Sequence, residues 1–137
     1  MKLRVGAVFI PVLNLKKSID WYKECFDLQL IEDWGEGASL SFKSGETLLA
    51  LIQVQKLVPL EFPVQNNQPH NYYHFETDDF VELRNHLERK GIEIIETHDH
   101  GVMNELFIMD PSGNRIAFYC EKKESPFYKH AAGKVSW

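Results

Sequence analysis

The chain is short of cysteine, of unbroken apolar runs and of positive charge, and each shortage removes a class of protein. Cys25 and Cys120 are its two cysteines. They form no CxxC pair, and one falls in a predicted helix and the other in a predicted strand, so a reduced, cytoplasmic protein is the expectation. No apolar run approaches the ~20 residues that a membrane helix needs. Lys and Arg number 15 against 20 Asp and Glu, a net charge of −5. That leaves no basic footprint for nucleic acid, and it favours cationic ligands wherever the acids cluster. The stretch Met1 to Val5 enters a strand-like pattern at once, which predicts no signal peptide. A Gly-x-Ser-x-Gly elbow and a phosphate-cradling glycine loop are missing as well.

What is present suits one compact domain: 137 residues, 44% hydrophobic and 26% charged. The clearest local signal lies near the carboxyl end. Leu106-Phe107-Ile108-Met109 and Ile116-Ala117-Phe118-Tyr119-Cys120 are apolar strand-like runs flanking Asp110-Pro111-Ser112-Gly113-Asn114. Asp110 can accept backbone N–H bonds, Pro111 pre-sets φ, and Gly113 supplies a positive φ, so a β-hairpin is predicted.

Upstream, residues 5–12 read as a buried strand. Asn14 is a candidate N-cap for a helix in which Leu15, Ile19, Tyr22 and Phe26 share a face. Residues 28–34, 38–43 and 47–54 read as three further strands. Residues 55–69 hold Pro59, Pro63 and Pro69 around Gln65-Asn66-Asn67-Gln68, which predicts a loop joining two halves, either a binding loop or a connector. The same order then returns: a strand over 71–77, a helix capped by Asp78 or Asp79 with Phe80, Leu83 and Leu87 on one face and Gly91 as its C′ residue, then strands over 92–97, 102–109 and 116–120. The element order βαβββ therefore occurs twice without repetition of residues, an internal duplication. Module one covers about residues 4–54, the linker 55–69, module two about 70–121 and the tail 122–137. Phe127, Tyr128 and Trp137 suggest that the tail packs on its own domain or on a partner.

This duplicated order resembles the vicinal oxygen chelate superfamily, which includes glyoxalase I, bleomycin-resistance proteins, fosfomycin-resistance transferases and extradiol dioxygenases. Phe9-Ile10-Pro11-Val12 and the helix through Trp21-Tyr22 are similar to its first strand and helix. Tyr73-His74-Phe75-Glu76-Thr77 is similar to the opening of its second module, and Asp110 to Ile116 to its closing hairpin. The resemblance implies an α+β fold in which two βαβββ modules form a paired half-barrel with a central cleft. It also implies a homodimer. Metal-dependent members place His, Gln or Glu on the first and last strands of each module, which leaves coordination positions open for a substrate's oxygens. The matching positions here are Ala7, Ala50, Tyr72 and Ala117. Three of them have no donor atom, so no metal ligand is assigned and no cofactor is expected, a divalent ion being the less favoured alternative.

Alternation within the strands would put Ala7, Phe9, Ala50, Ile52, Tyr72, His74, Ala117 and Tyr119 on the cleft side, with His70 at its mouth. A roomy apolar pocket with a few polar groups suits a small organic molecule. The candidate ligand contacts are therefore Phe9, Ile52, His70, Tyr72, His74 and Tyr119. If there is catalysis, His74 is the acid–base or ligand residue and Tyr72 a hydrogen-bond donor. His98 and His100 bracket Asp99 as a weak metal signal; His86 and His130 suggest no chemistry. Cys25 reads as packing, and Cys120 falls in a core-facing row with Ile116 and Phe118. The favoured reading is a metal-free small-molecule binder, of the drug- or metabolite-sequestering kind. The alternatives are a metal-dependent enzyme of the lyase, dioxygenase or thiol-transferase type that uses His74, and an interaction or regulatory protein that docks through its aromatic tail.

Overall fold

The computed structural model describes residues 1–128; His130 and Trp137 lie outside the described residues. The chain divides between Val58 and Pro59 into two compact units. In the first unit, β1 (Ala7–Val12), α1 (Leu15–Phe26), β2 (Gln29–Asp33), β3 (Gly37–Ser41) and β4 (Leu48–Gln53) follow in order. The sheet order is β1-β4-β3-β2, with β1 parallel to β4 and the other pairs antiparallel. Helix α1 starts where expected. The Asn14 side chain accepts the Lys17 N–H at 3.1 Å, which satisfies one of the four orphan donors of the first turn. Its buried residues Leu15, Ile19, Tyr22 and Cys25 recur at helical spacing, and the helix packs on β2, β3 and β4. Ile10, Val12, Leu40, Leu49 and Leu51 in the sheet are fully buried. At about 25 cal/mol per Å² of apolar surface, this interface is the main stabilising term of the unit.

The second unit repeats the topology. Its strands are β7 (Phe75–Glu76), β8 (Glu96–Asp99), β9 (Met103–Met109) and β10 (Arg115–Glu121), with α2 (Phe80–Arg89) after β7. The sheet order is β7-β10-β9-β8, and again the first strand pairs parallel with the last. Asp79 is the N-cap of α2, accepting the Glu82 N–H at 2.9 Å. Gly91 (φ +71°) turns the chain out of the helix, a backbone angle at which a Cβ is penalised. The duplicated βαβββ order is therefore real at the level of strand pairing as well as of element order. The molecule is α+β, with two four-stranded sheets and two helices among the described residues.

Three expectations are corrected. The linker is not all loop: β5 (Glu61–Pro63) and β6 (Pro69–Asn71) pair antiparallel as a hairpin. Its tip is turned by Asn67 at φ +62° and by Asn66, whose side chain accepts the Gln68 N–H. Residues 71–77 are not one strand, because the two ends pair with different partners. Tyr72 N–H donates to the Leu60 carbonyl, whereas Thr77 N–H donates to the Tyr119 carbonyl, so the ladder breaks over 72–74. The strand expected over 92–97 begins only at Glu96; Ile92 N–H is used instead to close the end of α2 on the Leu87 carbonyl.

The 110–114 turn forms as read. The buried Asp110 carboxylate accepts the N–H groups of Ser112 and Asn114 and the Asn114 side-chain amide, each at 2.9 Å, and Gly113 sits at φ +97°. Asp110→Ala leaves these donors unpaired. It should cost about 2–4 kcal/mol, seen in urea unfolding as a lower midpoint at unchanged slope; a midpoint equal to wild type would show that the turn is held by something else.

Candidate functional site

The hairpin closed by Asp110 sets which side chains meet across the second sheet. The register pairs Tyr119 with Glu105 and Ala117 with Phe107; on the far side of β9, Glu105 pairs with His98 and Phe107 with Glu96. Paired residues point the same way and neighbours along a strand point oppositely. One face is thus Leu106, Ile108, Ile116 and Phe118, all buried. The other carries Glu105, Phe107, Arg115, Tyr119, Glu96 and His98.

On that second face Glu105 is the hub. Its side chain is only 13% exposed. One carboxylate oxygen lies 3.1 Å from His74 Nε2 and the other 3.1 Å from His100 Nε2. The His74 ring also meets the rings of His70 and Tyr119, each at 5.7 Å between centroids. Burial pushes the His74 pKa below its ordinary value of 6.5; the nearby His70 adds to this, and the Glu105 carboxylate opposes it without overcoming it. His74 is therefore a neutral imidazole at neutral pH. Since a carboxylate only accepts, the Nε2–H points to Glu105 and Nδ1 keeps its lone pair. Burial likewise pushes the Tyr119 phenol up, as do Glu76 beside it and the hydrogen bond to Glu76, so Tyr119 stays protonated.

Beside the hub, Arg115 donates to Glu96 at 3.0 Å and lies over the Phe107 ring at 4.1 Å. Glu96 also takes a hydrogen bond from His98 at 2.9 Å. That bond, and then the charge of Arg115, hold the exposed Glu96 carboxylate below the usual range. The linker hairpin adds a further wall. A cavity of about 120 Å³ is lined by Glu61, Pro69, His70 and Asn71 from the hairpin and by His74, Glu105, Phe107 and Arg115 from the rest of the unit. Six of these eight residues are polar or charged, which differs from the apolar pocket expected, because the β9 and β10 face carries charged residues at alternate positions.

Of the candidate residues, the cavity brings together His70 and His74. Tyr119 touches His74 from outside the lining. Tyr72 is 68% exposed, does not line the cavity, and rests its ring on Phe62 at 5.0 Å. The alternation that placed it beside His74 does not operate, since the ladder breaks there. Phe9 and Ile52 belong to the first unit, where Phe9 pairs with Ala50 and is 63% exposed. Glu105, Glu61 and Arg115 were missed. The signal for Glu105 was available: the 110–114 turn sets the β9–β10 register, and counting back from it places Glu105 opposite Tyr119.

The four positions implied as metal ligands do not fit a divalent ion. Ala7, Ala50 and Ala117 offer methyl groups, and Tyr72 stands outside the sheet. Among the described residues no three His, Cys, Asp or Glu side chains converge to hold a metal ion. At the Glu105 hub the two imidazoles approach different oxygens of one carboxylate.

A family model described as the Glyoxalase/Bleomycin resistance protein/Dioxygenase superfamily matches residues 4–118. Biphenyl-2,3-diol 1,2-dioxygenase 2 of Rhodococcus globerulus is 25% identical over 124 residues. The match takes in 90% of this chain and 65% of that protein, so the chain spans just under two thirds of the length of this curated relative. Among solved structures, an antibiotic binding protein from Streptomyces superposes with a TM-score of 0.68 at 18% identity, covering 88% of this chain and 98% of that one. Lactoylglutathione lyase from Agrobacterium tumefaciens superposes with a TM-score of 0.65 at 18% identity, covering 87% and 94%.

The His74 environment gives a pH prediction. The imidazole should titrate below about 6.5 by NMR. Glu105→Gln, which removes the carboxylate that holds the charged form, should move it lower still; His70→Asn should move it up. Because the folded value lies below the unfolded one, the unfolded chain takes up this proton first on acidification. Stability from this group is thus intact above about 6.5 and is lost as pH falls from there to the folded value. A His74 titrating above the free value would contradict this account.

Proposed function

We propose, for a chain that belongs to the Glyoxalase/Bleomycin resistance protein/Dioxygenase superfamily, that it binds and sequesters a small organic molecule without a metal ion at the superfamily's usual positions. One observation carries the reading. The cavity at His74 and Glu105, lined mostly by polar and charged residues, coexists with alanine at three of the four positions where a metal would be held. The cavity's about 120 Å³ is below the ~300–1,000 Å³ of a full small-molecule pocket, so it receives one end of the ligand. The resemblance to an antibiotic binding protein supports sequestration as the outcome. Cys25 and Cys120 form no disulfide, which supports a reducing, cytoplasmic setting. A homodimer, which the family resemblance implies, belongs to the same proposal and is checked by light scattering. No helix of the described residues is long and apolar enough to cross a membrane.

A second reading, an enzyme, rests on one feature. A neutral His74 whose Nε2–H is held by a largely buried carboxylate is oriented as a general base, with Nδ1 as the accepting atom. The dioxygenase and lyase relatives make carbon–oxygen or thiol chemistry the class to assay.

Elemental analysis of the untagged protein, followed by thermal shift with zinc, manganese, nickel and iron(II), separates the two. The proposal expects no stoichiometric metal and no saturating shift, while a small-molecule library yields a ligand whose stabilisation saturates and drops by about tenfold in affinity in Glu105→Gln. One metal ion per chain, lost in His74→Ala, would replace the binder with the enzyme.

A further inference from the structure

The cavity of the second unit is unbalanced in charge and in hydrogen-bond capacity, and both imbalances have the same sign. Two carboxylates, Glu61 and Glu105, line it against one guanidinium, Arg115. That guanidinium is already paired with a third carboxylate, Glu96, at 3.0 Å, and lies over the Phe107 ring. Glu105 receives hydrogen bonds from His74 and His100, and the neutral His74 occupies one lone pair of the carboxylate without cancelling its charge. Glu61 is half-buried on β5 and has neither an ion pair nor a side-chain hydrogen bond among the described residues.

The hydrogen-bond inventory is independent of that charge count. His74 spends its Nε2–H on Glu105, so Nδ1 is left as an acceptor. His70 Nδ1 lies 2.8 Å from the Asn71 carbonyl, which can only accept, so that nitrogen carries the proton and Nε2 is left as an acceptor. Asn71, 7% exposed, spends its side-chain N–H on the Arg115 carbonyl, so its amide oxygen is left as an acceptor. With the Glu61 carboxylate, four lining residues thus offer acceptors that nothing among the described residues fills, against one buried lining donor without a partner, Arg115 Nε. A ligand group that fits must be rich in donors and positive, and it must be compact.

We infer that this cavity takes the protonated amine of the ligand, with Glu61 and Glu105 as its counter-ions. The inference rests on the small-molecule-binding reading and names the chemical class for it. An ammonium has three donors and no acceptor on a single small centre. A carboxylate ligand would find one partly used guanidinium and face two like charges. Because the cavity is small, the remainder of the ligand lies outside it, past the exposed rings of Phe62 and Tyr72 at the hairpin. The hairpin in the linker is thereby a specificity element, since it supplies Glu61, His70 and Asn71.

The test titrates the full chain at neutral pH with benzylamine, benzyl alcohol and benzoate, and follows the imidazole resonances of His70 and His74 by NMR. Benzylamine should shift both saturably and bind about tenfold or more tighter than benzyl alcohol, weakening with salt. Benzoate should leave both in place. Glu61→Gln, a partnerless side chain whose loss leaves the fold intact, should reduce amine affinity to near that of the alcohol without changing the alcohol, and Glu61→Asp should restore part of it. Equal binding of amine and alcohol, or tighter binding of benzoate, would overturn the ammonium assignment while leaving a small-molecule cavity in place. No saturable shift from any of the three would overturn the assignment and the cavity's role together.

Discussion

A single buried carboxylate determines how the second sheet is read. Asp110 gathers three N–H groups of its own turn, and in doing so it sets the β9–β10 register. From that register follow the pairing of Tyr119 with Glu105 and of Ala117 with Phe107. A slip of one residue would turn Glu105 and Arg115 to the other face and bring Leu106 and Ile116 out. The cost of exposing that apolar row, at about 25 cal/mol per Å², keeps the register in place. The polar face therefore inherits its geometry from a turn at the end of the hairpin and from the burial of the opposite face.

Upon that face the electrostatics is settled by competition. Glu105 is desolvated and hydrogen-bonded from both sides, His74 is held neutral, and Arg115 is directed to Glu96 and the Phe107 ring. A largely buried carboxylate is tolerable when both its oxygens are hydrogen-bonded, and one imidazole bonds each of them while further lone pairs stay open to a ligand. The charges that remain uncompensated are those that line the cavity. The linker hairpin then decides what reaches them, because its two short strands carry Glu61, His70 and Asn71 to the cavity wall.

Much of this architecture was legible in the residues. Asn14 and Asp79 announced their helices by capping chemistry, Gly91 and Gly113 occupy the positive φ their positions required, and the βαβββ order was visible twice. What misled was strand continuity. Residues 70–74 alternate like a strand, yet Asn71 and Thr77 are drawn to different partners, and pattern alone does not reveal which ladder a backbone N–H will join. The β5–β6 hairpin was hidden by its prolines, which are tolerated because β5 and β6 form a two-stranded ribbon with free edges. Glu105 was overlooked since a charged residue in an apolar strand reads as solvent-facing until its cross-strand neighbours are counted.

The central claim is that the His74–Glu105 cavity is where a small molecule binds, without a metal ion at positions 7, 50, 72 and 117. The most direct measurement is a crystal structure, with anomalous data at metal edges, of the protein soaked with the best ligand from a screen. The account predicts the ligand's polar end within hydrogen-bond distance of Glu61 and His74 and no anomalous peak in the cavity. A ligand seated elsewhere, or a metal ion on His74, would contradict it.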